Sequence, residues 1–167
     1  MKDKVYKYLN EAGIDFEIYD HPALYTVADN DKYGLVFDGV SCKNLFLRNK
    51  RKSKYYLISM SANEKISLGS IVASLGEEKV SFANEEELFD KLGIKSGAVS
   101  LLNIIEVGTT DVVFVLDKRL LSEKKVGFHP NDNTATIFFN GCNLKKILED
   151  FKVEYRLLDI SKIREKK

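Results

Sequence analysis

The chain is poor in the residues from which simple sites are built. It has two histidines, two cysteines, two prolines and no tryptophan. Cys42 and Cys142 form no zinc or redox spacing. No stretch reads as a signal peptide, so the expectation is a pair of reduced thiols in a cytoplasmic protein. His21 and His129 are too far apart in sequence to imply a metal site, and neither metal nor cofactor is expected. No apolar run is long enough to span a membrane. Neither sign of charge dominates, with 26 Lys and Arg against 25 Asp and Glu. That balance excludes a protein that grips nucleic acid over its whole surface, DNA included, and leaves only a local patch for such a contact. A glycine-rich phosphate loop and a nucleophile elbow are both absent. The missing tryptophan excludes nothing.

What is present reads as one domain over residues 1–167, a length that buries roughly 70% of the surface of the unfolded chain without metal or disulfide. Helical spacing is expected over Asp3–Ala12 and Ser67–Leu75, the latter closed by Gly76. Asn84 with Glu87 makes a capping-box start for Glu85–Leu92, with Gly93 closing it. A short helix over Val27–Tyr33 is expected behind a Thr26 cap, and another over Leu144–Phe151. Strands are expected at Ile14–Tyr19, Cys42–Arg48, Lys54–Ser59, Lys79–Phe82, Asp111–Leu116, Val126–Phe128, Ala135–Phe139 and Val153–Leu158. Strands and helices mix without strict alternation, and short turns join several strand pairs. The expected fold is therefore mixed α/β: a curled, mostly antiparallel sheet with helices packed around it. The tail Ser161–Lys167 reads as basic and frayed.

Two polar stretches stand out. In Gly127-Phe128-His129-Pro130-Asn131-Asp132-Asn133-Thr134-Ala135-Thr136, Pro130 pushes His129 toward an extended conformation. An imidazole aimed in this way changes charge near neutral pH. The same stretch also reads as a surface turn entering a strand, with Asn and Asp satisfying their own backbone. Lys43-Asn44 precedes the apolar run Leu45-Phe46-Leu47. Lys43 there is either an edge charge that deters aggregation or a fixed ammonium that holds a phosphate or polarises a carbonyl. His21, before Pro22, reads as a turn or packing histidine. Arg48, Lys50, Arg51, Lys52 and Lys54 form the densest positive cluster, either a solvated hairpin tip or a phosphate contact.

Four segments carry a resemblance. His21-Pro22-Ala23-Leu24-Tyr25-Thr26-Val27, Lys43-Asn44-Leu45-Phe46-Leu47, Gly97-Ala98-Val99-Ser100, and Gly127-Phe128-His129-Pro130 with Asn133-Thr134-Ala135-Thr136 resemble, in order, the freestanding YbaK/ProX editing domains. These are trans-acting deacylases of mischarged prolyl-tRNA. The resemblance implies a mixed α/β fold around a curled sheet and hydrolysis of the ester joining a wrong amino acid to the tRNA 3′ end. It is nearest the alanyl-tRNA(Pro) branch, because the cysteinyl branch lacks the Phe-His-Pro stretch that Phe128-His129-Pro130 supplies. Leu101 stands where many relatives carry Pro, which bears on the shape of the amino-acid pocket.

The resemblance implies that Lys43 and His129 are the catalytic pair. Lys43 would neutralise the terminal nucleotide or the oxyanion, and His129 would position the adenosine or the water, or act as base. Thr26, Asn44, Ser100, Asn133 and Thr134 would contact ribose, base or α-amino group, and Gly97, Ala98, Val99 and Ser100 would wall a small sieve. Lys50, Arg51 and Lys52 would meet the tRNA backbone. The implied partner is the acceptor end of mischarged tRNA(Pro), with prolyl-tRNA synthetase as a second, open one. A cysteinyl-tRNA(Pro) deacylase and a non-catalytic aminoacyl-tRNA-binding module are the competing readings.

Overall fold

The computed structural model describes residues 2–22, 38–95, 97–108 and 110–163. The expected Val27–Tyr33 helix, its Thr26 cap and the last four residues of the tail lie outside the described residues. Helix α1 (Lys2–Glu11) buries Val5 and Leu9 one turn apart and ends before Gly13, whose φ is +71°. Strand β1 (Phe16–Asp20) follows. Strand β2 (Val40–Asn49) and strand β3 (Tyr55–Ser61) form a hairpin. Asn49 organises its turn: Oδ1 accepts from the backbone N–H of Ser53 at 2.9 Å and of Lys54 at 3.1 Å. Helix α2 (Leu68–Leu75) starts on the Ser67 cap and ends on left-handed Gly76. Strand β4 (Val80–Phe82) leads into helix α3 (Glu85–Leu92), which has the full Asn84–Glu87 capping box. Helix α4 (Asn103–Val107), strand β5 (Val113–Asp117), strand β6 (Val126–Phe128), strand β7 (Ala135–Phe139), helix α5 (Leu144–Asp150) and strand β8 (Tyr155–Leu158) complete the order.

The eight strands form one sheet in the order β1-β7-β6-β2-β3-β5-β8, with β4 also on β2. Pairs β1–β7, β6–β7, β2–β3 and β2–β4 are antiparallel, and β2–β6, β3–β5 and β5–β8 are parallel. The mixed sheet with packed helices is as expected. Element ends move by one or two residues, and the apolar run at Leu101 splits between a turn and α4. The start of the tail is not frayed: Ile160–Lys162 is a 3-10 turn capped by Asp159, with Ile160 2% exposed. Alternation along β3 feeds two cores. Tyr55 and Leu57 join α1, α4, α5 and the β6–β7 pair on one face, while Tyr56, Ile58 and Met60 join α2 on the other.

Strand β2 is common to both halves of the sheet. β3 covers one of its edges along residues 42–48. The other edge carries β6 at Val40–Ser41 and β4 at Leu47–Asn49. Between those ladders lies a stretch of edge with no strand partner among the described residues. The β6 end is fixed by Gly127, which lies opposite Phe138: a Cβ there would stand 2.6 Å from Phe138 Cε1. The ring cannot swing aside, being 1% exposed and edge-to-face with Tyr19 at 5.6 Å. Gly127→Ala is therefore expected to destabilise the protein by about 1–3 kcal/mol through overpacking. Part of that loss should return in Gly127→Ala/Phe138→Leu. Urea denaturation reads both, and an unchanged midpoint for the single variant would disprove this packing.

Candidate active site

The parallel register pairs Ser41 with Gly127. Side chains two residues further along each strand return to the same face. The ladder stops at that rung, and His129 follows Phe128, the last residue of β6; the same register continued by two residues would bring Lys43 and His129 to one face of the sheet. The Lys43 ammonium donates to the backbone carbonyl of Glu64, just past the end of β3. The Glu64 carboxylate is held by Arg119 Nη2 at 2.7 Å. Arg119 in turn is clamped to Asp117, with Nη2 to Oδ2 at 2.6 Å and Nε to both oxygens. Asp117 is 1% exposed. These two carboxylates hold the charge on Arg119 firmly in place. The anchor of Lys43 thus runs back through the exposed Arg119 to the buried Asp117 carboxylate at the end of β5.

His129 Nδ1 lies 2.9 Å from the Ala135 carbonyl, which can only accept, so Nδ1 carries the proton and the Nε2 lone pair is the reactive one when the ring is neutral. Burial pushes the His129 imidazole below its ordinary value; the Ala135 carbonyl opposes the shift, and His21 adds to it. The His21 ring lies 6.0 Å away, centroid to centroid. It is not a bystander of the turn: Nδ1 lies 2.8 Å from Pro22 O, and Nε2 2.7 Å from the hydroxyl of buried Thr136.

The small-residue loop lies along the open β2 edge. Lys43 and Asn44 point to opposite faces by alternation, and Asn44 serves the loop: its Oδ1 accepts from Leu101 N at 3.2 Å and from Ser59 Oγ at 2.7 Å. A proline at position 101 would have no N–H for Asn44, so Leu101 gives the loop a tie that proline lacks. Gly97 has φ +89°. Ala98 and Val99 are half-buried against the larger core. Ser100 is fully buried, and its hydroxyl accepts from Leu102 N at 3.2 Å, so it supports the loop from within. The hydroxyl of Thr134 donates to Asp132, which tightens the turn after His129. Asn133 is half-buried in that turn. Thr26 lies outside the described residues.

Lys50, Arg51, Lys52 and Lys54 are exposed at the hairpin tip. Arg48 is not part of that open cluster, because Glu87 holds its Nε at 3.1 Å. The tip is about 23 Å from Lys43 along β2, at roughly 3.3 Å per residue. Cys42 is a poor nucleophile, because burial pushes its thiol up. Among the described residues no cluster of His, Cys, Asp or Glu could hold a metal, and no helix is long and apolar enough to cross a membrane. Sequence reasoning missed Glu64, Arg119, Asp117, Asn103 and Asn131. Asn131 stood inside the His129 stretch without being singled out, and Asn103 carried a signal as a polar residue inside the apolar run from Leu101 to Ile105.

The aminoacyl-tRNA editing domain family matches residues 21–147, and the chain belongs to it; it is an aminoacyl-tRNA deacylase. The chain is 33% identical over 148 residues to the prolyl-tRNA editing protein ProX of Acetoanaerobium sticklandii, covering 89% of this chain and 90% of that one. It is 32% identical over 133 residues to the prolyl-tRNA synthetase associated domain-containing protein 1 of Mus musculus, covering 77% and 78%. A crystal structure of a candidate trans-editing enzyme for prolyl-tRNA synthetase superposes with a TM-score of 0.65 over 94% of this chain and 95% of that one. Its identity is 21%, so the likeness shows the fold.

The depressed His129 value carries a sign. The unfolded chain takes up a proton at this ring as pH falls through about 6.5, while the folded chain does not until lower pH. Folding stability is therefore expected to fall as pH drops below about 6.5, and more gently in His129→Gln. Urea midpoints between pH 7.5 and 5.5 read this; parallel slopes for wild type and variant would contradict it.

Proposed function

We propose that the protein removes alanine from mischarged tRNA(Pro) in trans. The reading rests on the β2–β6 register, which continued two residues past Ser41 and Gly127 would bring Lys43 and His129 together at the β2 edge to which Asn44 ties the small-residue loop. The relatives named for prolyl-tRNA editing support the tRNA(Pro) assignment. The chemistry needs no covalent intermediate, because an aminoacyl ester is already activated. Water attacks the carbonyl carbon, the bond from that carbon to the ribose oxygen breaks, and the proton of the water passes to the departing oxygen. Lys43 stabilises the charge on the carbonyl oxygen or on the terminal nucleotide. His129 Nε2 holds the water, or a ribose hydroxyl that positions it, and can accept its proton. A free 2′-hydroxyl beside the ester makes such a site specific for RNA.

A synthetase pocket built for proline cannot strongly exclude alanine, since a methylene is worth only about 1–3 kcal/mol. A second, smaller sieve is needed, and Gly97, Ala98 and Val99 are small wall material. In this reading the aminoacyl group crosses the open β2 edge between Lys43 and the loop. Asn44 and Ser100 shape the wall, and Asn133 and Thr134 border the His129 side. The tip residues Lys50, Arg51 and Lys52 meet the acceptor stem, at a distance that the single-stranded tRNA end can span. Prolyl-tRNA synthetase supplies the mischarged substrate.

Single-turnover hydrolysis of Ala-tRNA(Pro) tests the pair. Lys43→Ala is expected to lose about 10²–10³-fold, the size of one oxyanion donor. His129→Ala should lose about 10²–10⁴-fold if the ring moves the proton, with tRNA binding retained. A wild-type rate for Lys43→Ala would remove it from the chemistry. A preference for Cys-tRNA(Pro) would move the substrate assignment to cysteine, and no release of any amino acid would leave a binding module. Arg51→Glu/Lys52→Glu is expected to weaken tRNA binding and flatten its dependence on salt; an unchanged slope would return the tip to a solvated hairpin.

A further inference from the structure

Asn103 and Asn131 are 0% and 3% exposed, and the two amides meet. Asn103 Nδ2 donates to Asn131 Oδ1 at 2.7 Å. Backbone groups fix which way each amide faces. Asn103 Oδ1 accepts from Ser100 N at 2.7 Å, and its Nδ2 also donates to Ala98 O at 3.1 Å. Ser100 N can only donate and Ala98 O can only accept, so neither amide can be flipped without losing bonds. Asn103 therefore grips the small-residue loop at two points and reaches across to the turn that follows His129. Asn131 meets it from a left-handed conformation, φ +64°, which Asn tolerates better than most residues.

Two apolar side chains could fill the same space, but they would not fix a distance or an angle. Buried amides do, at a cost, because Asn131 Nδ2 has no hydrogen-bond partner among the described residues. We infer that the Asn103–Asn131 amide pair is a strut that sets the separation between the Gly97–Ser100 wall and the His129 turn, and so the size of amino acid the site accepts. Both are positioning residues: neither touches the reacting atoms. The inference rests on the editing reading above and adds its size gauge.

The test is the ratio of single-turnover rates on Ala-tRNA(Pro) and Pro-tRNA(Pro). Asn131→Gly keeps the left-handed turn and deletes the amide. It is expected to lower the Ala:Pro ratio by about 10–100-fold, the range one methylene commands, chiefly by raising hydrolysis of Pro-tRNA(Pro). Asn131→Ser, polar but too short to reach Asn103, carries the same expectation should the glycine variant not fold. Asn131→Asp keeps the acceptor for Asn103 and should restore the ratio to near wild type. Asn103→Ala should lower it as well, and in that background Asn131→Gly should change it no further. A ratio unchanged in Asn131→Gly and Asn131→Ser, or equal losses on both substrates, would overturn the strut and leave the editing reading intact. A wild-type enzyme that hydrolyses neither substrate would overturn the editing reading itself, and the strut with it.

Discussion

The parallel contact between β2 and β6 is the constraint on which the site depends. It is two rungs long, Val40 with Val126 and Ser41 with Gly127. A slip of one residue in either strand would send Lys43 or His129 to the opposite face. Little in the rungs themselves resists that slip. The register is held from outside, by the hairpin that ties β2 to β3 over seven residue pairs and by the Phe138 ring seated on Gly127. Each half of the sheet is thus built firmly for its own sake, and the seam between them is short. The seam leaves part of the β2 edge without a strand among the described residues, and an opening in a sheet edge is what a substrate end needs.

Charge is handled differently on the two sides of that opening. On the Lys43 side, cations and carboxylates alternate from buried Asp117 through Arg119 to the Glu64 carboxylate, and the Glu64 carbonyl then meets the ammonium. Removing Arg119 would leave the buried Asp117 carboxylate without its cation, so that link is the stiff one in the series. On the His129 side, burial drives the ring toward neutrality, and a backbone carbonyl fixes its tautomer. A long flexible lysine is made to point one way, while a group that could be protonated near neutral pH is kept able to accept. Ester hydrolysis asks for that division: positive charge where the oxyanion forms, and a free lone pair where water must be held.

Much of the fold was legible because its signals are local. Ser67 with Gly76, and Asn84 with Glu87 and Gly93, mark helix ends by capping chemistry that acts within four residues. The β3 run Tyr55–Ser61 and the β5 run Val113–Asp117 announce buried strands by composition. Parallel pairing was not legible: β2–β6 and β5–β8 join segments far apart in the chain, and neither strand carries a mark naming its partner. The motifs of Lys43 and His129 were visible as residue types. Their supports were not visible. Glu64 acts through a backbone carbonyl, which every residue has. Arg48 looked like one more cation of the tip until Glu87, on another element, took it out of that cluster. Ser100 and Thr134 have the right chemistry for a ligand but spend hydroxyl bonds on the loops that carry them.

The distribution of buried polar groups makes the same point on energetic grounds. Asn49, Ser59, Ser70, Ser100, Asn103, Asp117, Asn131 and Thr136 are the polar or charged residues buried among the described ones. Asn49 makes a hairpin turn and Ser70 bonds to the cap of α2. The other six belong to the site's supports: Ser59 on Asn44, Ser100 and Asn103 in the small-residue loop, Asn131 beside His129, Thr136 on His21, and Asp117 behind Arg119. Each buried polar group must be desolvated, and a hydrogen-bonded pair replaced whole by apolar groups of the same shape would fold about as stably. Polar residues concentrated in this way are explained by geometry rather than by stability. They fix the angles of the two loops and the lysine, which close-packed hydrocarbon would leave free to shift by the ångström that separates one amino acid from the next.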